Sequence, residues 1–394
     1  MAKVKWGKEG KTKVVLLFGG GYDPDEDNRD ARADHSMGNA IYMIDPESGS
    51  LLWSASNSNA SVNLPEMTSA ITSEIKPVDF DGDQVIDYFF VSDIGGRVWR
   101  FDLNGEPEDI SASNFIAKAK SGAGSSAGVI FDANAGSTNY QRFYDSPSVS
   151  YFSNEKTKEK FLTISIGSGF RAAPLRSGER DTKDSFYIIK DSNITSAPDE
   201  YKAPLRNTFR DIATSLQTVD RSSVPVWKFD LIDGEKVLST PLTSNGNMYF
   251  TTFSPSISAS ANSCSAEIGS SRVYSIDFIG YSTSSGSSES TDPADPNGPK
   301  GPNGTSDPII TMIELPNIGI PPAVIELNIT EDGQELFCET NPSHPSCQDD
   351  PCELTNSCPD DCESTGSVIL SGSNIIGGGA LRCDVLKKDY WRAL

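Results

Sequence analysis

The stretch from Tyr88 to Asp102 decides the fold, and it reads YFFVSDIGGRVWRFD. Its first half is a run of aromatic and β-branched residues that ends shortly before the pair Gly95 and Gly96. Its second half alternates around Trp99 and ends in aspartate. Aromatic and β-branched residues are enriched in strands, and glycine after a short apolar run is typical of a turn. The stretch therefore predicts two antiparallel strands joined by a tight turn.

Both halves of this pattern recur along the chain. Copies of the first half begin at Val14, Phe161 and Met248, copies of the second half begin at Ile41, Phe186 and Val273, and strands led by proline begin at Pro77, Pro147 and Pro241. Sheets repeated in a fixed order are typical of propeller blades. We therefore expect an all-β, partial or modified β-propeller of four-stranded antiparallel blades with long loop insertions. A β-sandwich stays open as the alternative, because alternating strands and turns serve both folds.

The repeats divide the chain into three parts. Residues 1–280 carry the blades, residues 281–308 form a flexible insertion rich in Ser, Gly and Pro, and residues 309–394 supply a closing blade with a cysteine-rich loop at 338–362. The repeats lie farther apart than the 40–50 or so residues of a bare blade, so the surplus is expected in loops. We expect one propeller, or part of one, and not two or three independent domains.

Composition argues against two roles, nucleic-acid binding and spanning a membrane. The chain has 55 acidic residues against 33 Lys and Arg, a formal charge of −22, whereas binding to nucleic-acid phosphates needs a surplus of basic residues. It contains no run of about 18 apolar residues, so no membrane-spanning segment is expected. These features favour a soluble, extracellular or cation-binding protein.

The cysteines indicate an oxidising compartment. Six of the seven lie in the last 57 residues, amid Pro, Asn, Ser and Asp. Such a segment favours disulfides, and a zinc cluster remains the weaker alternative because no Cys-x-x-Cys pair is present. The basic N-terminus lacks the apolar core of a secretory signal. We therefore expect a secreted protein whose signal peptide is missing from this chain, which is a fragment of a longer precursor.

A loop at 79–87 is the strongest chemical motif. Carboxylates at positions 1, 3, 5 and 9 and a backbone carbonyl at position 7 match the ligand order of an EF-hand loop. The candidate ligands are Asp79, Asp81, Asp83, the carbonyl of Val85, and Asp87. Oxygen ligands of this kind suit Ca²⁺. The match is incomplete, because the loop lacks the Glu at position 12 and is flanked by strands, and a solvated acidic turn is the alternative. A second ion at the acidic stretch 23–30 is a weaker possibility.

Catalytic motifs are sparse. His35 and His344 are the only histidines, and no Ser or Cys lies in a nucleophile-elbow context. Quinone-dependent dehydrogenases use propellers with turns like the one from Asp45 to Trp53, but the adjacent cysteine pair expected near that cofactor is absent. We therefore expect no enzyme, with a quinone-dependent dehydrogenase or a purely structural, calcium-stapled propeller as alternatives.

Several segments together resemble the C-terminal propeller of the PilC/PilY family of type IV pilus tip-associated adhesins and biogenesis factors. They are Phe18 to Asp23, Gly38 to Asp45, the 79–87 loop running into Gly95 to Asp102, Ile166 to Arg171, and Tyr390 to Leu394. The similarity covers about residues 11–280 and the final strand. The cysteine-rich insertion at 338–362 has no counterpart in the family. The family's long N-terminal region has no counterpart in this chain.

The resemblance implies a calcium-binding, modified propeller at a bacterial cell surface or pilus tip. Its implied ligands are the same five residues, Asp79, Asp81, Asp83, Val85 and Asp87. Its implied partners are the pilus tip or minor pilins and a host or abiotic surface. Its implied roles are pilus biogenesis through extension and retraction, twitching motility, and adhesion, with Ca²⁺ as the switch.

Overall fold

A computed structural model gives the arrangement of most of the chain. It describes residues 1–105, 108–118, 126–137, 139–154, 158–176, 183–215, 223–244, 246–255, 269–278, 310–315, 320–329, 366–371, 374–380 and 389–393. Almost all regular structure in these ranges is β-strand. The helical segments are two 3₁₀ turns, Pro24–Asn28 and Arg206–Thr208, and one turn of α-helix, Ile212–Ser215. None of the described helices is long and apolar enough to cross a membrane.

The strands form five sheets that follow one another along the chain. The first contains β1 (Ala2–Lys8), β2 (Lys11–Gly19), β3 (Ala40–Ile44), β4 (Leu51–Ser56), β5 (Val62–Asn63) and β9 (Asp109–Ile110), in the order β5-β4-β3-β2-β1-β9. The second contains β6 (Lys76–Val78), β7 (Tyr88–Ser92), β8 (Arg97–Asp102) and β10 (Ala127–Asp132), in the order β10-β8-β7-β6.

The third sheet contains β11 (Ser148–Asn154), β12 (Lys160–Gly167), β13 (Ser185–Asp191), β14 (Arg210–Asp211), β15 (Val226–Asp230) and β24 (Asp389–Ala393), in the order β14-β15-β13-β12-β11-β24. The fourth contains β16 (Lys236–Val237), β17 (Leu242–Ser244), β18 (Asn247–Ser254), β19 (Ser270–Asp277) and β20 (Ile310–Leu315). The fifth contains β21 (Val324–Ile329), β22 (Gly366–Ser371) and β23 (Asn374–Ala380).

The stretch that opened the sequence argument forms the hairpin β7–β8. Its strands pair antiparallel, with Val91 opposite Trp99 and Phe89 opposite Phe101. The second sheet has the expected four strands. The first and third sheets have six strands, partly because strands from distant parts of the chain pair with their edges, as β9 does with β1 and β24 with β11. Among the described residues, the fourth sheet has five strands and the fifth has three.

Apolar clusters between successive sheets hold the array together. Because side chains alternate across a strand, Phe89 and Val91 pack against the first sheet, whereas Tyr88 and Phe90 pack against the third. A third cluster joins the third and fourth sheets, where the rings of Phe186 and Phe250 stack with centroids 4.0 Å apart. Strands covered on both faces read as continuous apolar runs, which explains the sequence of β7.

Close packing explains why two copies of the first half of the pattern, those that begin at Val14 and Phe161, end in glycine. A Cβ on Gly19 would lie 2.5 Å from the backbone oxygen of Ile71, in the segment that leads into β6 of the next sheet. A Cβ on Gly167 would overlap Val237, which precedes β17 in the same way. Glycine at the end of one sheet thus makes room for the chain that enters the next.

The first sheet has an outer face that the described residues leave exposed. Phe18 on β2 and Tyr42 on β3 lie opposite each other there, with Phe18 42% exposed. Val14 and Leu51 are also exposed, Leu51 at 59%.

Three predictions fall outside the described residues. The flexible insertion at 281–308, the cysteine-rich loop at 338–362 and all seven cysteines lie there, so their structure and the disulfides remain predictions. From the part expected to form a closing blade, β20 pairs with β19 of the fourth sheet and β24 with β11 of the third.

Candidate metal centre

The 79–87 loop joins β6 to β7 at one end of the second sheet. Aspartate side chains bind backbone N–H groups a few residues ahead and so stabilise tight turns. Asp79 does this twice, accepting from Gly82 N at 2.7 Å through Oδ1 and from Gln84 N at 2.8 Å through Oδ2. Asp81 accepts from Asp83 N at 3.0 Å. The sequence of the loop therefore folds it back on its own carboxylates.

Three of the predicted carboxylates converge. One oxygen from each of Asp79, Asp81 and Asp87 lies within 4.8 Å of the others. Two oxygens bound to one Ca²⁺ can lie no farther apart than about 5 Å, twice the usual Ca–O distance. The separation therefore fits a single ion held by these three residues.

The other two predicted ligands are arranged differently. The Oδ1 atom of Asp83 accepts from Val85 N at 2.7 Å, and Asp83 does not belong to the converging group. Val85 is buried at the end of the loop. The ligand set of five thus remains a prediction, of which the structure brings Asp79, Asp81 and Asp87 together.

The electrostatics of the loop favour a cation. Burial raises the pKa of the Asp87 carboxyl, and the charges of Asp81 and Asp79 raise it further, although an N–H bond from Phe80 acts in the opposite direction. Like charges held this close disfavour ionisation. A divalent cation would relieve that repulsion.

Backbone conformation adds a further departure from an EF-hand. Gln84 occupies loop position 6, where EF-hands have an invariant glycine for a sharp turn. The turn is nonetheless made, because Gln84 adopts a φ of 69° and Gly82 a φ of 83°. The left-handed region is unfavourable for a residue with a side chain.

A small cavity next to the loop contains residues that the sequence argument missed. Lys5 and Asn104 line it together with Asp81, Asp83 and Asp87. Asn104 comes near because Leu103 N donates to the backbone oxygen of Asp87 at 2.9 Å. Neither residue belongs to a motif, so only tertiary structure reveals them.

The second acidic stretch has protein partners for its buried carboxylates. Asp23 accepts from Asp25 N and Ser36 N, at 3.0 and 2.7 Å. Glu26 pairs with the Arg142 guanidinium at 2.5 Å and with Nε2 of His35 at 2.9 Å. These bonds occupy the carboxylates of Asp23 and Glu26, and a second ion at the stretch remains a prediction.

His35 is part of that buried network. Its Nδ1 accepts from Ala70 N at 2.8 Å, so the hydrogen-bond pattern assigns the proton to Nε2, which donates to Glu26. The other histidine, His344, lies outside the described residues.

Comparison with known proteins gives one informative result. No protein-family profile matches the chain, and no curated protein matches it. Among solved structures, it is similar to the C-terminal domain of PilY1 from Pseudomonas aeruginosa, with a TM-score of 0.52 and 13% sequence identity. The match covers 96% of this chain and 71% of that one. At this identity the likeness concerns the fold, and with the strand content it establishes an all-β chain of the modified β-propeller type.

Proposed function

We propose that the chain is a calcium-binding propeller module of a type IV pilus tip-associated protein. In this role it acts in pilus biogenesis, through control of extension and retraction, and in twitching motility and surface adhesion. The observation that carries the proposal is the convergence of Asp79, Asp81 and Asp87, in a loop that resembles the calcium loop of the PilC/PilY family, on a fold like that of PilY1.

The proposal places the protein outside the cell. Its partners are the pilus tip or minor pilins and a host or abiotic surface, and its location is the cell surface. It assigns binding and not catalysis.

Calcium binding is the first property to test. Ca²⁺ that binds only the folded state raises the free energy of unfolding, by about 2.7 kcal/mol at a concentration 100 times the Kd. The melting temperature rises accordingly. Asp81→Asn removes one of the three converging charges, and its side chain is exposed, so the variant should fold. We expect a Kd at least about tenfold weaker in a terbium luminescence or calorimetric titration.

A matched control lies in the other acidic stretch. Asp25→Asn changes the net charge equally, on an exposed side chain remote from the loop, and should bind Ca²⁺ as the parent chain does. Superimposable melting curves of the parent chain in calcium and in chelator would sink the proposal.

A static structural ion is the second candidate. It is favoured by one contact, the bond between the backbone of the loop and strand β1 of the first sheet. A switch predicts that pilus number in the bacterium changes in a graded way with external Ca²⁺, and that Asp81→Asn abolishes the response. A static structural ion predicts the same pilus number at every calcium concentration that keeps the protein folded.

A further inference from the structure

The metal loop contacts a strand of a different sheet. Ile86 N donates to the backbone oxygen of Lys3 at 3.0 Å, and Lys3 Nζ donates to Oε1 of Gln84 at 2.7 Å. Lys3 belongs to β1 of the first sheet, whereas Gln84 and Ile86 belong to the loop of the second. One backbone bond and one side-chain bond therefore cross the boundary between the sheets.

Strand β1 depends on such contacts along one edge. On its other edge it pairs with β2 over five residues, from Ala2 to Trp6. On the loop side, the one described strand that pairs with it is the two-residue strand β9, through Gly7 and Lys8. Ile86 provides the additional partner near the start of the strand, and its side chain lies in the same apolar cluster as Val4.

Gln84 connects the carboxylate cluster to this contact. Its N–H donates to Asp79 Oδ2 at 2.8 Å, and its side-chain Oε1 accepts a hydrogen bond from Lys3 Nζ. The residue keeps a φ of 69°, a conformation that is unfavourable for a residue with a side chain and that glycine adopts freely. The bond with Lys3 offsets part of this cost, which gives a physical reason for a glutamine at this position.

Loss of the ion would act first on this segment. Without a cation, three carboxylates with oxygens within 4.8 Å repel one another, and the turn that holds Gln84 loses the ion's support. Proteins open locally where few contacts hold a segment, and β1 is held by few contacts on the loop side.

We propose that the 79–87 loop is an ion-dependent latch between the first two sheets. Ion binding holds Gln84 and Ile86 against Lys3 and so secures β1, and ion loss releases that edge of the strand. The inference rests on the calcium binding proposed above and adds what the ion controls.

Hydrogen exchange measured by mass spectrometry tests the latch. The full chain is compared in calcium chloride and in chelator, with peptides covering β1, the loop, and β18 and β19 of the fourth sheet. We expect exchange in β1 and in the loop to slow by about tenfold with calcium, and exchange in the fourth sheet to stay the same.

Two variants separate the latch from ion binding. Gln84→Gly relieves the backbone strain and removes the side chain that meets Lys3, so it should bind terbium and calcium as well as the parent chain does. It should nevertheless lose most of the calcium-dependent protection of β1. Lys3→Met should do the same, whereas Lys11→Met should keep the protection, because the amine of Lys11 pairs with Glu9 in the β1–β2 turn.

The outcomes distinguish the two proposals. Terbium binding without any protection of β1 in the parent chain overturns the latch and leaves the calcium site intact. Full protection of β1 in both Gln84→Gly and Lys3→Met overturns it as well. Absence of terbium and calcium binding in the parent chain overturns both the calcium site and the latch.

Discussion

Glu26 shows how the bonds of a single residue can connect two distant parts of the chain. It is fully buried, with the Arg142 guanidinium on one carboxylate oxygen and His35 on the other. The guanidinium itself lies between the rings of Tyr140 and Phe170, 3.9 and 4.0 Å from their centres. A buried charge is tolerated only when it is paired, so removing one partner leaves the other uncompensated.

The first prediction at this scale is a pH dependence. Burial would raise the pKa of Glu26, but hydrogen bonds from His35 and Arg142 outweigh burial and hold the pKa below its usual value. The stabilisation is therefore complete above the pKa of an unfolded Glu, about 4.3, and is lost as the pH falls through the lower folded-state pKa. Glu26→Gln should lower the free energy of unfolding by about 3 kcal/mol at neutral pH.

Chemical denaturation from pH 7 to pH 3 measures this difference. The difference in free energy of unfolding between the parent chain and Glu26→Gln should become smaller as the pH drops below about 4.3. Asp25→Asn, one residue away and exposed, should open no gap at any pH. A gap that stays constant down to pH 3 would contradict the assignment.

At the residue scale, local spacing predicted part of the site. Every-second-residue carboxylates pointed to Asp79, Asp81 and Asp87, because a tight turn directs alternate side chains inward. Spacing could not show that Asp83 instead accepts from Val85 N, since that depends on the path of the backbone. It also could not show Lys3, which lies far away in sequence and reaches the loop only through packing of the sheets.

At the scale of elements, the glycines at strand ends determine how closely neighbouring sheets can pack. Gly19→Ala would place a methyl group 2.5 Å from the Ile71 backbone oxygen, which is held in place because it accepts a hydrogen bond from Gly21 N at 3.0 Å. We expect a loss of about 1–3 kcal/mol, measured by urea denaturation.

Gly105→Ala is the matched control for that prediction. An added Cβ there meets no atom of the described residues within 4 Å, so stability should change by less than about 0.5 kcal/mol. Equal stability of the two variants would show that the first and second sheets adjust to the added methyl group.

Hairpins such as β7–β8 could be predicted from sequence, because both strands and their glycine turn lie within fifteen consecutive residues. The added edge strands could not. β9 is only two residues long, and over half of the chain lies between β11 and β24. Patterns within a short window carry no information about such distant pairs.

At the scale of the whole molecule, the sheets follow one another so that the second, third and fourth each pack against a neighbouring sheet on both faces. The outer face of the first sheet is different, because it leaves Phe18, Tyr42 and Leu51 exposed. Contiguous apolar surface of this kind promotes association of folded chains.

A surface variant tests this property. Phe18→Ser combined with Leu51→Ser should reduce light scattering at high protein concentration and leave the melting temperature within a few degrees of the parent value. The same pair of changes at two other exposed apolar residues, Leu175 and Leu205, serves as the control. Equal scattering by the two double variants would contradict a special role for the first sheet.

The pairing of β24 with β11 has a consequence for the order of events during synthesis. Tyr151 and Phe152 of β11 lie opposite Arg392 and Trp391, about 240 residues later in the chain. β12 can pair with β11 soon after both have emerged, but the opposite edge must wait until β24 has been synthesised. During that interval an unpaired strand edge is open to wrong partners, including edges of neighbouring nascent chains. Deletion of β24, Asp389–Ala393, would make this exposure permanent.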